Sequence, residues 1–138
     1  MNDAMNIAAS GMQAATASLT ASASNTANEF SYGPVPSTDP SQPVPQIPGA
    51  VYQAINASQS TLPGGGVKTT LTQTLPSYKL AYDPNSPFAN VQGMVATPNV
   101  DPAREYVNQL VAAEAYKASL NAFNIADQTQ KTLLKASG

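Results

Sequence analysis

The chain has 138 residues, 42% of them hydrophobic and only 10% charged, with a formal net charge of −2, which bounds it to one modest domain. It contains no His, Cys or Trp, so the residue types most used as general base, thiol nucleophile and transition-metal ligand are missing; no enzyme, cofactor or metal site is expected. All six basic residues, Lys68 to Lys135, lie in the second half and are scattered, which excludes nucleic acid and anionic membrane as expected partners.

Residues 4–28 carry no charge, yet eleven of these 25 are Asn, Gln, Ser or Thr. Hydrocarbon does not suit such a stretch, so no direct membrane insertion is expected. No basic segment precedes it, and a cleaved secretory signal is not expected either. Residues 2–28 instead predict a helix, with Asn2 or Asp3 as its cap. Met5, Met12 and Leu19 recur every seven positions, with Ala8 and Ala15 three after the first two, an a/d pattern with small d residues. Few large side chains and many Ser, Thr and Asn give this helix little to bury and little intrinsic helicity. It is therefore expected to need several helical neighbours and to order on assembly.

Residues 30–66 read as a Pro/Gly-rich extended loop. Six of the twelve prolines fall between Pro34 and Pro48, and Gly64-Gly65-Gly66 closes the segment. Such density forbids helix and central strand. One short strand is expected at Val51–Ile55, and the excursion is a candidate adaptor contact. Gly64-Gly65-Gly66-Val67-Lys68-Thr69 superficially resembles a phosphate-binding loop but lacks its first Gly and the helix that must follow. A turn before a strand is the expectation there.

Residues 67–98 alternate weakly and predict a small β-hairpin region, with strands at Val67–Thr74, Tyr78–Tyr82 and Gly93–Thr97. Asp83-Pro84-Asn85-Ser86-Pro87 supplies a turn between the last two. Residues 101–135 predict a second helix: Asp101 is a good N-cap, Pro102 suits the first helical position, and Lys131 and Lys135 suit the end. Tyr106, Ala113, Leu120 and Leu134 share one heptad row, and Tyr116 and Phe123 the next, with Leu110 nearby. Asp101 and Glu105 lie one turn apart, but capping and the helix dipole explain both without a substrate.

The expected fold class is mainly α: long N- and C-terminal helices (residues 1–29 and 99–138) forming a coiled-coil inner domain, with an irregular β-containing insert and a Pro-rich loop. Ser24-Asn25-Thr26-Ala27-Asn28 resembles the Ser-Asn-x-Ala-Asn motif that ends the N-terminal helix of bacterial flagellar rod and hook proteins. Tyr82-Asp83-Pro84-Asn85-Ser86-Pro87-Phe88-Ala89, followed by Gly93-Met94-Val95 and Pro98-Asn99-Val100-Asp101, is similar to the proximal-rod members of that family. Gly65-Gly66-Val67 also falls where they carry Gly-Gly-Val. The Pro-rich stretch 33–48 departs from them.

That resemblance implies a structural subunit that polymerises helically into a torque-transmitting, export-channel-containing drive shaft in the periplasm. It implies export by the flagellar type III apparatus without a cleaved signal. Implied partners are further copies of the chain, other rod proteins and the rod–MS-ring junction protein. The expected assembly residues are Met5, Met12, Leu19, Asn25, Asn28, Tyr106, Leu110, Tyr116, Leu120 and Phe123. The competing reading is a secreted, non-enzymatic binding module that docks its Pro-rich segment onto a partner groove.

Overall fold

A computed structural model describes residues 2–45 and 48–137 of the chain. The first helix, α1 (Asn2–Ala27), runs 26 residues; the side chain of Asn2, one of its two expected caps, lies outside the described residues. Its last turn closes on Asn28, whose amide donates to the Ser24 carbonyl at 2.9 Å and so satisfies one of the acceptors every helix end leaves open. The last helix, α2 (Pro102–Ser137), runs 36 residues. Asp101 caps it, its Oδ1 accepting the N–H groups of Ala103 (3.1 Å) and Arg104 (3.3 Å), an arrangement worth about 1 kcal/mol.

Between the helices lie four strands in two separate antiparallel pairs. Strands β1 (Ile55–Thr61) and β2 (Val67–Gln73) pair from Ile55↔Gln73 to Thr61↔Val67. The glycine run turns between them, with Leu62 and Gly66 bonded across it at 3.1 Å and all three glycines at φ of 92–93°. A strand follows the turn, as the weighing against a phosphate loop expected. Strands β3 (Tyr78–Tyr82) and β4 (Met94–Pro98) pair from Tyr78↔Pro98 to Tyr82↔Met94.

The fold is not the mainly α coiled coil expected from the sequence. Helices stand at both ends, but two β-hairpins build much of the remaining structure, so the chain is only partly helical. The helix pair is not knitted by large heptad side chains. On α1 the buried residues are Ala8, Ala14, Ala15, Ala21, Ser22 and Asn25; on α2 they are Glu105 and Ala112. A Cβ added to Gly11 would come within 2.5 Å of Ser119 Oγ. The contact row on α2 is thus Glu105–Ala112–Ser119, one residue before the row that was expected to pack. Small side chains win because they let two backbones approach closely, whereas the large ones stay outside.

The second neighbour of α1 is not a helix. The β1–β2 hairpin lies along it, with Gln59 Nε2 donating to Ser18 Oγ (3.3 Å) and the Val67 N–H to Ser10 Oγ (3.0 Å). A Cβ on Gly65 would meet Ile7 Cδ1 at 2.7 Å, and one on Gly66 would meet Ser10 Oγ at 2.8 Å. The hairpin tip therefore rests on the first half of α1. The hairpin's first strand starts at Ile55, four residues later than expected; Val51, Gln53 and Ala54 are buried instead in the approach to it.

A second lobe forms beyond the end of α1. Val44, Val51, Tyr78 and Ala96 make its core, with Val35 and Ala50 against it. Gly33 bridges Ala96 through two bonds of 3.0 and 2.9 Å. The Pro-rich segment wraps the start of β3: Ser77 Oγ is within 2.9 Å of the Pro40 carbonyl and 2.8 Å of that of Gln42, and the Tyr78 hydroxyl donates to the Thr38 carbonyl at 2.8 Å. Proline bars this segment from regular structure but not from burying its valines. The expected free excursion is a packed wrap over its described residues. In its turn, the Ser41 N–H bonded to Asp39 Oδ1 (2.8 Å) holds that carboxyl below the usual range.

Candidate functional site

The motif at the end of α1 is a junction of three elements. Asn25 is 2% exposed. Its Nδ2 donates to the Ile55 carbonyl (2.8 Å) and to Glu105 Oε1 (2.9 Å), and its Oδ1 accepts the Ile55 N–H (2.8 Å) and the Tyr52 hydroxyl (3.0 Å). An amide side chain has two donors and two acceptor sites, and here all four are used. Only Asn fits, since Asp lacks the donors and Gln would move the group one bond farther out. The same amide thus ties α1 to α2 and to the first residue of β1.

Neighbours reinforce the junction. Ser22 Oγ donates to the Glu105 backbone carbonyl (2.9 Å), and Asn108 Nδ2 donates to Glu105 Oε2 (3.3 Å). Ser24 Oγ is 3.0 Å from the Tyr52 hydroxyl, and Gln109 Nε2 donates to Thr26 Oγ1 (3.1 Å). Glu105 is an acceptor within this network and Asp101 caps α2; both also border the groove beside the junction. Among the described residues no group of three or more metal-ligating side chains forms, and no helix is long and apolar enough to cross a membrane. A groove of about 570 Å³ opens beside the junction, lined by Ser18, Ser22, Arg104, Asn108, Val111 and Leu75 among others.

The other expected site residues lie mostly on the outside. Leu19, Tyr106, Leu110, Tyr116 and Leu120 are exposed, Tyr106 by 64% and Leu120 by 38%. Met5, Met12 and Phe123 are half-buried, and Asn28 turns back onto its own helix. The structure therefore separates Asn25, inside the subunit, from Leu19, Tyr106, Leu110, Tyr116 and Leu120, which are exposed. Sequence reading missed Ser22, Tyr52, Gly11 and the buried role of Glu105. The signal was present as a heptad row of small and polar residues, Glu105–Ala112–Ser119, beside the apolar one. It also missed Val107, Val111, Ile125 and Leu133, which are exposed on α2 as well.

Residues 91–136, which span β4 and nearly all of α2, match the family model for the C-terminal region of flagellar basal body rod FlgEFG proteins. A flagellar basal-body rod protein FlgC from Aquifex aeolicus is 32% identical over 123 residues, covering 89% of this chain and 87% of the relative. The protein of the same name from Bacillus subtilis is 37% identical, covering 66% and 61%, and that from Escherichia coli O6:H1 is 32% identical, covering 86% and 84%. The chain belongs to the FlgC family of flagellar basal-body rod proteins.

Proposed function

We propose that the chain is a non-enzymatic structural subunit of the flagellar rod, polymerising helically through its terminal helices. The carrying observation is the outer face of α2, where Tyr106, Leu110, Tyr116 and Leu120 are solvent-exposed in the single chain. Contiguous apolar surface of this kind marks an interaction face, and in a family whose relatives are named rod proteins the natural cover is another subunit. A contact between different faces of identical subunits, whose rotation does not close, grows an open tube. Such a tube transmits torque and encloses an export channel.

On this reading Met5, Met12, Leu19, Tyr106, Leu110, Tyr116, Leu120 and Phe123 make contacts between subunits, while Asn25 and Asn28 shape the subunit that presents them. The partners are further copies, other rod proteins and the rod–MS-ring junction protein in the periplasm. The chain reaches them through the flagellar type III export apparatus without a cleaved signal. The test is to complement a strain lacking the gene with a tagged chain and locate the tag in purified basal bodies. Tag density in the rod is expected. Basal bodies that assemble complete rods without the chain would remove the proposal.

A further inference from the structure

Two apolar patches stand at opposite ends of the subunit. The helices are antiparallel, since Ser22 bonds Glu105 while Gly11 abuts Ser119. That register sets the start of α1 level with about residue 128, so roughly nine residues of α2, about 13 Å at 1.5 Å each, project past it. This overhang exposes Leu133 (53%) and Leu134 (64%) and carries Lys135 in its last turn. At the other end, three residues after α1 stops, Phe30 and Tyr32 line a cleft with Asp83, Asn85 and Phe88. Phe30 is 73% exposed and Phe88 43%.

The cleft is preformed. Its loop closes on itself through Asp83 N–H to the Gly93 carbonyl (2.9 Å), Asn90 N–H to the Met94 carbonyl (2.9 Å) and Ala89 N–H to the Ser86 carbonyl (3.1 Å). Asn90 Oδ1 accepts the N–H groups of Gln92 (2.9 Å) and Met94 (3.0 Å). Phe88 is carried on this closed loop, so its ring enters a contact with little ordering cost. Charge matches as well: no basic residue lines the cleft, Asp83 does, and Glu29 lies beside it in sequence, whereas the overhang carries Lys131 and Lys135. Among the described residues, the two ion pairs both lie within α2 and leave Asp83 and Lys135 unpaired.

Resting on the rod-subunit reading, we infer that this acidic aromatic cleft receives the last turns of α2 from a second copy, stacking subunits end to end. Leu133 and Leu134 enter between Phe30, Tyr32 and Phe88, and Lys135 meets Asp83. The overhang cannot reach the cleft of its own chain, because the whole helix pair lies between them.

The chain has no cysteine of its own, so paired cysteines give a clean test. Asn85→Cys places a thiol in the cleft and Ala136→Cys one on the overhang, both at exposed positions. Basal bodies isolated from cells expressing the double variant, treated with a mild oxidant, are expected to yield a ladder of cross-linked chains on denaturing gels. Each single variant is expected to yield no ladder. Double variants that enter the rod yet give only monomer would overturn the end-to-end contact and leave the rod-subunit reading standing. Failure of the unsubstituted chain to appear in basal bodies at all would overturn both. A charge exchange adds an independent readout. Lys135→Asp is expected to reduce swimming several-fold, and Asp83→Lys in the same chain to restore it. No restoration, with the double variant present at normal level in basal bodies, also overturns the contact.

Discussion

Asn25 Nδ2 lies 2.9 Å from Glu105 Oε1, across the helix pair and 80 positions along the chain. Because the same amide also closes both backbone bonds to Ile55, removing it strands buried groups on three elements at once. Asn25→Ala should lower stability by about 2–4 kcal/mol, given about 1–3 kcal/mol for each buried polar group left unpaired. Asn25→Asp should do at least as much damage near neutral pH, since it loses the donors and faces a carboxylate. Glu105→Gln keeps an acceptor for Asn25 and should stay within about 1 kcal/mol of the parent. Thermal unfolding followed by circular dichroism ranks the three; equal losses for Asn25→Ala and Glu105→Gln would contradict the assignment.

The contact of Gly11 with Ser119 makes a double substitution informative. Gly11→Ala gains roughly 1 kcal/mol of helix propensity, but its methyl meets the Ser119 hydroxyl at 2.5 Å. Ser119→Ala removes that hydroxyl, so the pair together should be more stable than the sum of the two single changes. Gly11→Leu, by contrast, should separate the helices and cost about 1–3 kcal/mol or more. A denaturant-midpoint cycle reads the coupling; strict additivity would mean the two residues do not touch.

Gly33 tests the second lobe. A Cβ there meets the Val51 backbone nitrogen at 2.7 Å and its Cα at 3.0 Å, and backbone cannot rotate away as a side chain can. Gly33→Ala should cost about 1–3 kcal/mol and loosen the cluster around Tyr78. With no Trp in the chain, near-ultraviolet dichroism reports tyrosines directly. A fall in that signal with far-ultraviolet helicity kept is the expected result.

Gln53 is 2% exposed, and neither amide atom meets a protein partner. Gln53→Met conserves length and volume while removing the polar group, and should raise stability by about 1 kcal/mol or more. A lower melting temperature for this variant would show that the amide is fully satisfied in solution.

The outer face of α2 should behave in the opposite way. Tyr116→Ser and Leu120→Ser remove side chains that are 41% and 38% exposed and should lower the stability of the single chain by no more than about 1 kcal/mol. Swimming should nonetheless fail, as scored by spreading in soft agar beside immunoblots for equal protein level. Full motility of both variants would count against this face as a subunit contact.

Local signals were legible in the sequence wherever chemistry acts locally. Asp101 and Pro102 announced the start of α2, and the β-branched run after Val67 and the Tyr78–Tyr82 alternation marked strands. On α1 the small d positions Ala8 and Ala15 were legible, but on α2 the contact row lies one residue before the heptad row of Tyr106 and Leu120. In this chain Ala8, Ala15 and Ser22 hold the contact, and Leu19 and Leu120 stay outside. The polar strand Asn56–Thr61 gave no apolar alternation because its contacts with α1 include hydrogen bonds rather than a buried stripe. The wrap of the Pro-rich segment over Ser77 depends on pairings 35 and 37 positions apart, which no local window contains. Asn25 stood out in the sequence through its motif, but its partners Ile55 and Glu105 were visible only in three dimensions.

The narrow helix contact, built from Ala, Gly and Ser with the bulky side chains turned away, reverses the usual map of mutational tolerance. In most domains truncation of a large residue harms the fold and enlargement of a small one is a secondary hazard. Here enlarging the buried Ala14, Ala15 or Ala21 is expected to be costly, while the exposed Leu110, Leu133, Leu134 and Tyr106 are expected to be dispensable to the isolated molecule. A saturation library scored twice, once for soluble yield and once for swimming, would therefore divide into two nearly disjoint sets of sensitive positions. The boundary between them would trace, residue by residue, where one subunit ends and its neighbours begin.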